Sequence, residues 1–105
     1  MATNKKDNVN HPSHYADSCC IECFDAMLLA FGYEYMYNHC LITAFKYLWR
    51  WKHKNGEEDV NKANWYLKKA DSLYNDCDEL TKCKLDTDKL TALLDMLANA
   101  YAKCK

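Results

Sequence analysis

Apolar residues recur at intervals of three and four along most of the chain, which is the spacing of one face of an α-helix. This pattern predicts a first helix over residues 18–31, which Gly32 stops. A second helix is predicted over residues 35–54. Its apolar positions are Leu41, Ala44, Phe45, Leu48 and Trp49.

Two further signals organise the second half of the chain. Asn55-Gly56 is a strong helix breaker, and the acidic residues at 57–59 suit the positive N-terminal end of a third helix. The apolar seam of that helix is Val60, Ala63, Leu67, Ala70, Tyr74 and Cys77. After a polar stretch at 78–85, a cap at Asp86 or Thr87 starts a fourth helix. Its apolar stripe is Leu90, Leu93, Leu94, Leu97 and Tyr101.

These elements predict an all-α fold, a small bundle of three to four helices with an extended N-terminal arm. Residues 1–17 hold the only proline and few apolar side chains, so they form the arm. Residues 18–77 form a helical core, and residues 78–105 form a linker and a C-terminal amphipathic helix. Because the last apolar stripe needs a partner, within the chain or on another copy, we expect an oligomer.

The composition is that of a folded domain, with half of the 105 residues hydrophobic and 28% charged. A formal net charge of -1 gives no general attraction to a nucleic-acid backbone, so no long nucleic acid is expected as a partner. No run approaches the roughly 20 apolar residues of a membrane span, and the polar N-terminus has no signal-peptide core. We therefore expect a cytoplasmic protein with no membrane partner.

Seven cysteines in so short a chain raise the question of disulfides or zinc. The number is odd and no secretion signal accompanies it, so reduced thiols are the better interpretation. Cys40, Cys77 and Cys104 fall on apolar stripes, where a thiol acts as a small hydrophobe. A zinc site remains open as an alternative, although its spacing is not that of a standard zinc finger. Its ligands would come from His11, His14, Cys19, Cys20 and Cys23.

The strongest chemical signal is a basic and aromatic stretch near the end of the second helix. Lys46, Arg50 and Lys54 form a ridge there, in which Arg50 can grip a phosphate bidentately. Across the Asn-Gly turn, Lys62 and Lys69 are expected on the same side. Aromatic residues flank these charges and offer stacking surfaces, whereas Trp49 and Tyr74 are assigned to packing. The flanking residues are Tyr47, Trp51, Trp65 and Tyr66.

Two smaller constellations add to this picture. The arm contains Asn10-His11-Pro12-Ser13-His14-Tyr15, a cluster that can hydrogen-bond a phosphate and stack on a base, or simply pin the arm to the helices. Glu22 and Asp25 lie three residues apart on the first helix and could hold a divalent cation or pair with a nearby cation. The chain has no P-loop and no Gly-x-Ser-x-Gly elbow.

Taken in order, four blocks of the chain resemble the SaV-like bacteriophage family. They are Val9 to Tyr15, Ile21 to Ala26, Ala44 to Arg50, and Glu58 to Leu67. In the family these blocks read approximately Asn-His-Pro-x-His-Tyr, Gly-Ile-Glu-x-Ile-Asp, Gly-Asn-Ala-x-Lys-Tyr-x-x-Arg and Glu-Asp-x-x-Lys-Ala-x-Trp-Tyr-Leu. This chain departs from the pattern at Cys20, where the family has glycine, and at Ile42-Thr43, where it has Gly-Asn. Both departures put kinase activity in doubt.

The resemblance implies nucleotides and host defence, because the family includes a phage nucleotide kinase without a P-loop and a phage protein tied to abortive infection. It also implies action in the cytoplasm of the infected bacterial host. The nucleotide- or phosphate-binding candidates are Asn10, His11, His14, Tyr15, Lys46, Tyr47, Arg50, Lys62, Trp65 and Tyr66. The metal candidates are Glu22, Asp25 and Asp59.

Three functions follow as hypotheses. The first is a phage accessory protein that sequesters a nucleotide, above all a cyclic nucleotide signal of antiphage defence, and needs no cofactor to bind it. The second is a nucleoside monophosphate kinase, which would require Mg2+. The third is a module that binds a host protein. The altered glycine positions favour capture over catalysis.

Overall fold

The computed structural model describes residues 22–104, and every regular element in that range is helical. The long helices are α1 (Cys23–Phe31), α2 (Tyr33–Arg50), α3 (Glu57–Asp76) and α5 (Thr87–Cys104). Between them lie a 3-10 turn at Trp51–His53 and a short helix α4 at Glu79–Lys82. The predicted all-α class is confirmed. Within this range no helix has the length and apolar character that a membrane span requires.

The chain divides into two units, Met1–Gly32 and Tyr33–Lys105. In the first unit, α1 ends where the sequence predicts, because Gly32 adopts a φ of +91° that disfavours other residues. Its N–H donates to the carbonyl oxygen of Leu28 at 2.8 Å. The helix begins at Cys23, later than predicted, because Glu22 is extended and precedes it as the N-cap residue. Residue 18 and the arm at 1–17 lie outside the described residues.

The second helix begins two residues earlier than predicted and ends four residues earlier. The backbone leaves the α-helix after Arg50 and forms the 3-10 turn, whose first carbonyl, that of Trp51, accepts a hydrogen bond from the N–H of Gly56 at 2.9 Å. Gly56 adopts a φ of +61°, so the predicted break at Asn55-Gly56 is confirmed. Lys54 therefore does not continue the ridge of Lys46 and Arg50.

The core of the second unit lies where α2 packs along α3 and α5 contacts both. The predicted seam of α3 is buried except at Tyr74, which is half-buried. On α5, Leu90, Leu93 and Leu97 are buried inside this unit and Leu94 is exposed. The predicted stripe of the fourth helix thus finds its partner within the chain, so an oligomer through this helix would have to use its outer face.

The stretch at 78–85 holds a short helix that the sequence does not predict. Asp78 begins α4 by accepting a hydrogen bond from the N–H of Thr81 at 2.9 Å, and Leu85 is buried behind it. The next cap is the predicted one. The carboxylate of Asp86 accepts a hydrogen bond from the N–H of Lys89 at 3.2 Å at the start of α5.

Tyr37 joins α2 to the start of α5. Its side chain is fully buried, and its hydroxyl donates to the backbone oxygen of Asp86 at 3.1 Å. Burial, together with the negative charge of Asp86, raises the pKa of Tyr37 to about 12. The phenol therefore stays a hydrogen-bond donor over the whole physiological range.

We expect Tyr37→Phe to lower the free energy of unfolding by about 1 kcal/mol, because it leaves the Asp86 carbonyl without this donor. Urea unfolding followed by circular dichroism measures the change. Tyr101→Phe is the matched control, since it removes an exposed hydrogen bond to Asn61 and should cost less. Equal losses in the two variants would contradict a special role for the Tyr37 bond.

Candidate functional site

Aromatic rings from α2 and α3 meet along the outer edge of the helix pair. Tyr47 stacks on Tyr66 with ring centroids 6.2 Å apart and planes at 22°. Trp65 and His39 each meet Tyr66 edge to face, at 4.9 Å and 6.0 Å between centroids. Burial, then the neighbouring Tyr47 and Cys40, raises the pKa of Tyr66. In this row of rings, Tyr47 and Tyr66 are half-buried and His39 and Trp65 are exposed.

Three cations surround one of these rings. The Nζ of Lys46 lies 5.0 Å, the guanidinium carbon of Arg50 5.0 Å and the Nζ of Lys62 5.7 Å from the ring centroid of Tyr47. All three distances are within the range at which a cation is attracted to an aromatic face. We call Lys46, Tyr47, Arg50 and Lys62 the cationic cluster.

Arg50 is held in this cluster by a buried carboxylate. Asp59 is 0% exposed and accepts hydrogen bonds from Nε of Arg50 at 3.3 Å and from Nη2 at 3.4 Å. Asn55 donates to the same carboxylate through its backbone N–H at 3.3 Å and its side-chain Nδ2 at 3.2 Å. Both oxygens of Asp59 therefore accept two hydrogen bonds each.

The hydrogen bonds decide the charge state of Asp59. Burial alone would raise its pKa, but the bonds from Arg50 and Asn55 and the positive charge of Arg50 outweigh burial and lower the pKa below its ordinary value of 3.8. Asp59 is therefore ionised at neutral pH. The positive N-terminal end of α3 also favours the negative charge of Asp59. The ion pair between Asp59 and Arg50 is therefore fixed in position.

This arrangement changes the role of two predicted residues. Asp59 is a metal candidate in the sequence, but in the structure both of its oxygens accept hydrogen bonds from Arg50 and Asn55. Arg50 is expected to bind a phosphate bidentately. It offers only the part that Asp59 does not use, which includes Nη1.

Lys62 is held more weakly than Arg50. Its Nζ lies 3.6 Å from an oxygen of Glu58, and both side chains are open to solvent, 35% and 66% exposed. Such an exposed pair contributes about 0–1 kcal/mol, so Lys62 can exchange this partner for a ligand at little cost. Two turns further along α3, the Nζ of Lys69 lies 5.6 Å from the ring centroid of Trp65.

Of the ten predicted nucleotide-binding residues, the structure brings six together on α2 and α3. They are Lys46, Tyr47, Arg50, Lys62, Trp65 and Tyr66. The other four, Asn10, His11, His14 and Tyr15, lie outside the described residues. So do four of the five zinc candidates; the fifth, Cys23, is an exposed free thiol.

Glu22 and Asp25, the remaining metal candidates, belong to the first unit, at the start of α1. Among residues 22–104, no three His, Cys, Asp or Glu side chains come together as a metal-binding group. Cys40 and Cys77 are buried, as the sequence predicts, and Cys104 is half-buried. Burial raises the pKa of the Cys40 thiol to about 12, which keeps it unreactive.

Two residues beside the cationic cluster differ from what the sequence indicates. The sequence marks Asn55 only as half of a turn, although Asn55 holds Asp59 through two hydrogen bonds. The prediction that Trp49 packs in the core is wrong, since Trp49 is 74% exposed. Trp49 lies beside Lys46 and Arg50 on the surface of α2, and Phe45 stacks on it with the ring centroids 5.9 Å apart.

Two surface hollows adjoin Trp49. One, of about 510 Å³, lies beside the cationic cluster and is lined by Ile42, Phe45, Lys46, Trp49 and Arg50. The other, of about 430 Å³, lies between the end of α2 and α5. It is lined by Leu48, Trp49, Trp51, Lys52, His53, Met96, Asn99, Ala100 and Lys103.

Comparison with known proteins adds a family and no function. No curated protein and no solved structure matches the sequence. A family described as a protein of unknown function, DUF3310, matches residues 9–68, which cover the cationic cluster and the aromatic row. Because this match spans more than half of the 105 residues, the chain belongs to the DUF3310 family.

Proposed function

We propose that this protein binds a nucleotide, with a phosphate held at the cationic cluster. The observation that carries the proposal is the convergence of three cations within 6 Å of one tyrosine ring, at 5.0, 5.0 and 5.7 Å. Among residues 22–104, the carboxylates that pair with these cations are those of Glu58 and Asp59. The cluster therefore keeps an excess positive charge for an anion.

Each cation has a distinct part in this proposal. Arg50 is a rigid donor, because Asp59 fixes its orientation before a ligand arrives. Lys46 is exposed and has no carboxylate partner within residues 22–104, so its charge is open to a phosphate. Lys62 can break its ion pair with Glu58 and bind the same phosphate. Charge-assisted hydrogen bonds of this kind are roughly twice as strong as neutral ones.

The base would stack on Trp65. This indole is 37% exposed, and its edge-to-face contact with Tyr66 joins it to the row of rings that ends at Tyr47. A base stacked on an aromatic side chain contributes about 1–3 kcal/mol and tolerates different bases. Phosphate and base would thus be held on the same edge of the α2–α3 pair.

We infer a biological role as a phage accessory protein that sequesters a cyclic nucleotide signal of antiphage defence in the cytoplasm of the infected bacterium. The role in defence rests on the sequence motifs, to which the arm residues Asn10, His11, His14 and Tyr15 belong. Capture without a cofactor is favoured over catalysis, because the buried carboxylate of Asp59 already accepts hydrogen bonds from Arg50. A homo-oligomer stays part of this proposal.

Calorimetry with a panel of mononucleotides, cyclic nucleotides and dinucleotides tests the proposal. At least one is expected to bind with a Kd below about 10 μM, which corresponds to about 7 kcal/mol. Lys46→Ala combined with Lys62→Ala should weaken that binding by about 30- to 100-fold, since two charge-assisted contacts are lost. Lys68→Ala, an exposed lysine of α3 outside the cluster, is the control and should change the Kd less than about twofold.

Failure of the whole panel to bind at this level would refute the proposal, and so would equal losses in the cluster variant and the Lys68→Ala control. Adding ATP, Mg2+ and a nucleoside monophosphate provides a second arm. Formation of a nucleoside diphosphate there would replace capture by kinase activity.

A further inference from the structure

The second hollow beside Trp49 has a clear chemical character that the proposed phosphate site does not use. Its lining includes three basic side chains, Lys52 and His53 from the 3-10 turn and Lys103 from α5, and none of its lining residues within 22–104 has a carboxylate side chain. Two indoles, Trp49 and Trp51, line it as well, and the Nζ of Lys52 lies 5.9 Å from the Trp51 ring centroid. Its volume of about 430 Å³ is within the usual range for small-ligand sites.

Trp49 lines both hollows and separates them. Lys46 and Arg50 line the hollow on one side of it, and Lys52, His53 and Lys103 line the hollow on the other. The indole of Trp49 is 74% exposed, so much of its apolar surface is in contact with water. The ring of Phe45 stacks on it with the two ring planes at 26°. The surface therefore presents the exposed indole of Trp49 with basic side chains on both sides of it.

The basic side chains form two sets, which fits two phosphates rather than one. Lys46 and Arg50 line one hollow, whereas Lys52, His53 and Lys103 line the other, and Trp49 is the residue that the two linings share. A ligand that passes over Trp49 can place one phosphate against each set. Lys103 would reinforce the second phosphate from α5.

We propose that the ligand is a dinucleotide that lies across Trp49, with one phosphate at the cationic cluster and the other at Lys52 and Lys103. This inference rests on the proposed function, because it takes the first phosphate site from it and adds the class of ligand. A base between the two phosphates stacks on Trp49. A mononucleotide occupies the cationic cluster alone and leaves the second hollow to water.

The test uses the full chain and three named probes, a nucleoside 5′-monophosphate, the linear 5′-phosphorylated dinucleotide and the cyclic dinucleotide. The base is adenine or guanine, whichever monophosphate binds more tightly. We expect at least one dinucleotide to bind about tenfold or more tightly than the monophosphate. A preference for the linear or the cyclic form identifies which kind of dinucleotide the protein takes.

Variants locate the second phosphate. Lys52→Ala with Lys103→Ala should weaken dinucleotide binding about tenfold or more and leave monophosphate binding unchanged. The control replaces Lys68 and Lys84, two exposed lysines that line neither hollow, and should leave all three affinities unchanged. Trp49→Phe keeps a stacking ring and should retain most of the dinucleotide affinity, whereas Trp49→Ala should weaken dinucleotide binding about tenfold.

The outcomes separate the two proposals. If the monophosphate binds as tightly as both dinucleotides, or if the Lys52 and Lys103 variant binds the dinucleotide normally, the dinucleotide inference is wrong and the phosphate site at the cationic cluster stands. If none of the three probes binds, both proposals fail. Circular dichroism of each variant verifies that it is folded.

Discussion

Replacing Asp59 with asparagine is expected to lower the free energy of unfolding at neutral pH by about 2–3 kcal/mol. The carboxylate is 0% exposed and accepts four hydrogen bonds, two of them from a guanidinium. An amide in its place accepts hydrogen bonds only through its oxygen. Its NH2 group is a donor and would face the donor groups of Arg50 and Asn55. Hydrogen bonds to charged groups contribute about 1.5–3 kcal/mol each, but Arg50 is 34% exposed and can recover part of this loss from water.

The dependence on pH gives this prediction a second readout. The pKa of Asp59 in the folded protein lies below the ordinary value of 3.8, so the folded state binds fewer protons than the unfolded state in acid. The stability that Asp59 adds is therefore complete above about pH 5 and is lost as the pH falls through the folded pKa. The difference between wild type and Asp59→Asn should shrink over the same interval.

Urea unfolding at a series of pH values measures both effects. Glu57→Gln is the matched control, because Glu57 is an exposed acid in the same first turn of α3. It should cost no more than about 0.5 kcal/mol, through the helix dipole alone. A loss in Asp59→Asn no larger than in this control would contradict a structural role for Asp59.

The second large effect is expected at Leu67, where substitution by alanine should lower the free energy of unfolding by about 3–4 kcal/mol. Leu67 is 0% exposed at the centre of the α3 seam, so its truncation removes buried methyl groups and leaves a cavity. Leu67 also follows Trp65 and Tyr66 directly, and its packing fixes the turn of α3 that presents those rings. Ligand binding should therefore weaken together with stability.

Thermal and urea unfolding measure the loss, with Leu80→Ala as the control. Leu80 is 78% exposed on α4, so its truncation should change the free energy of unfolding by less than about 0.5 kcal/mol. If Leu67→Ala proves as mild as this control, α3 does not pack on the core in the way described.

The sequence predicts the helices of this protein well where one apolar face does all the packing. The seam of α3 is an example, because Val60, Ala63 and Leu67 lie on one face and are all buried. The break at Asn55-Gly56 is equally predictable, since the chain needs a positive φ there. The start of α5 follows from the ability of Asp86 to cap a helix.

The sequence fails where apolar residues occupy two faces of one helix. Phe45 and Trp49 share the helical period of Leu41 and Leu48, but they are exposed, and periodicity alone cannot tell the two faces apart. The end of α2 is not predictable from the sequence for a different reason. The unwinding after Arg50 accompanies the turn hydrogen bond between Gly56 and Trp51, which no local preference announces.

For the candidate site, the sequence identifies the residue types but not their partners. Lys46, Tyr47 and Lys62 come together as a basic and aromatic stretch would suggest. Asp59 is a metal candidate in the sequence because a carboxylate in an acidic triplet looks solvated. Only the fold shows that its neighbours Glu57 and Glu58 are exposed while Asp59 points inward.

The bonds around Asp59 also bear on the order of folding. Arg50, Asn55 and Asp59 lie within ten residues of one another, so closing this loop costs little chain entropy. The bond from Tyr37 to Asp86 instead spans 49 residues. We therefore expect the α2–α3 hairpin to form first, with α5 docking onto it later, so that the proposed phosphate site is assembled before the core is complete.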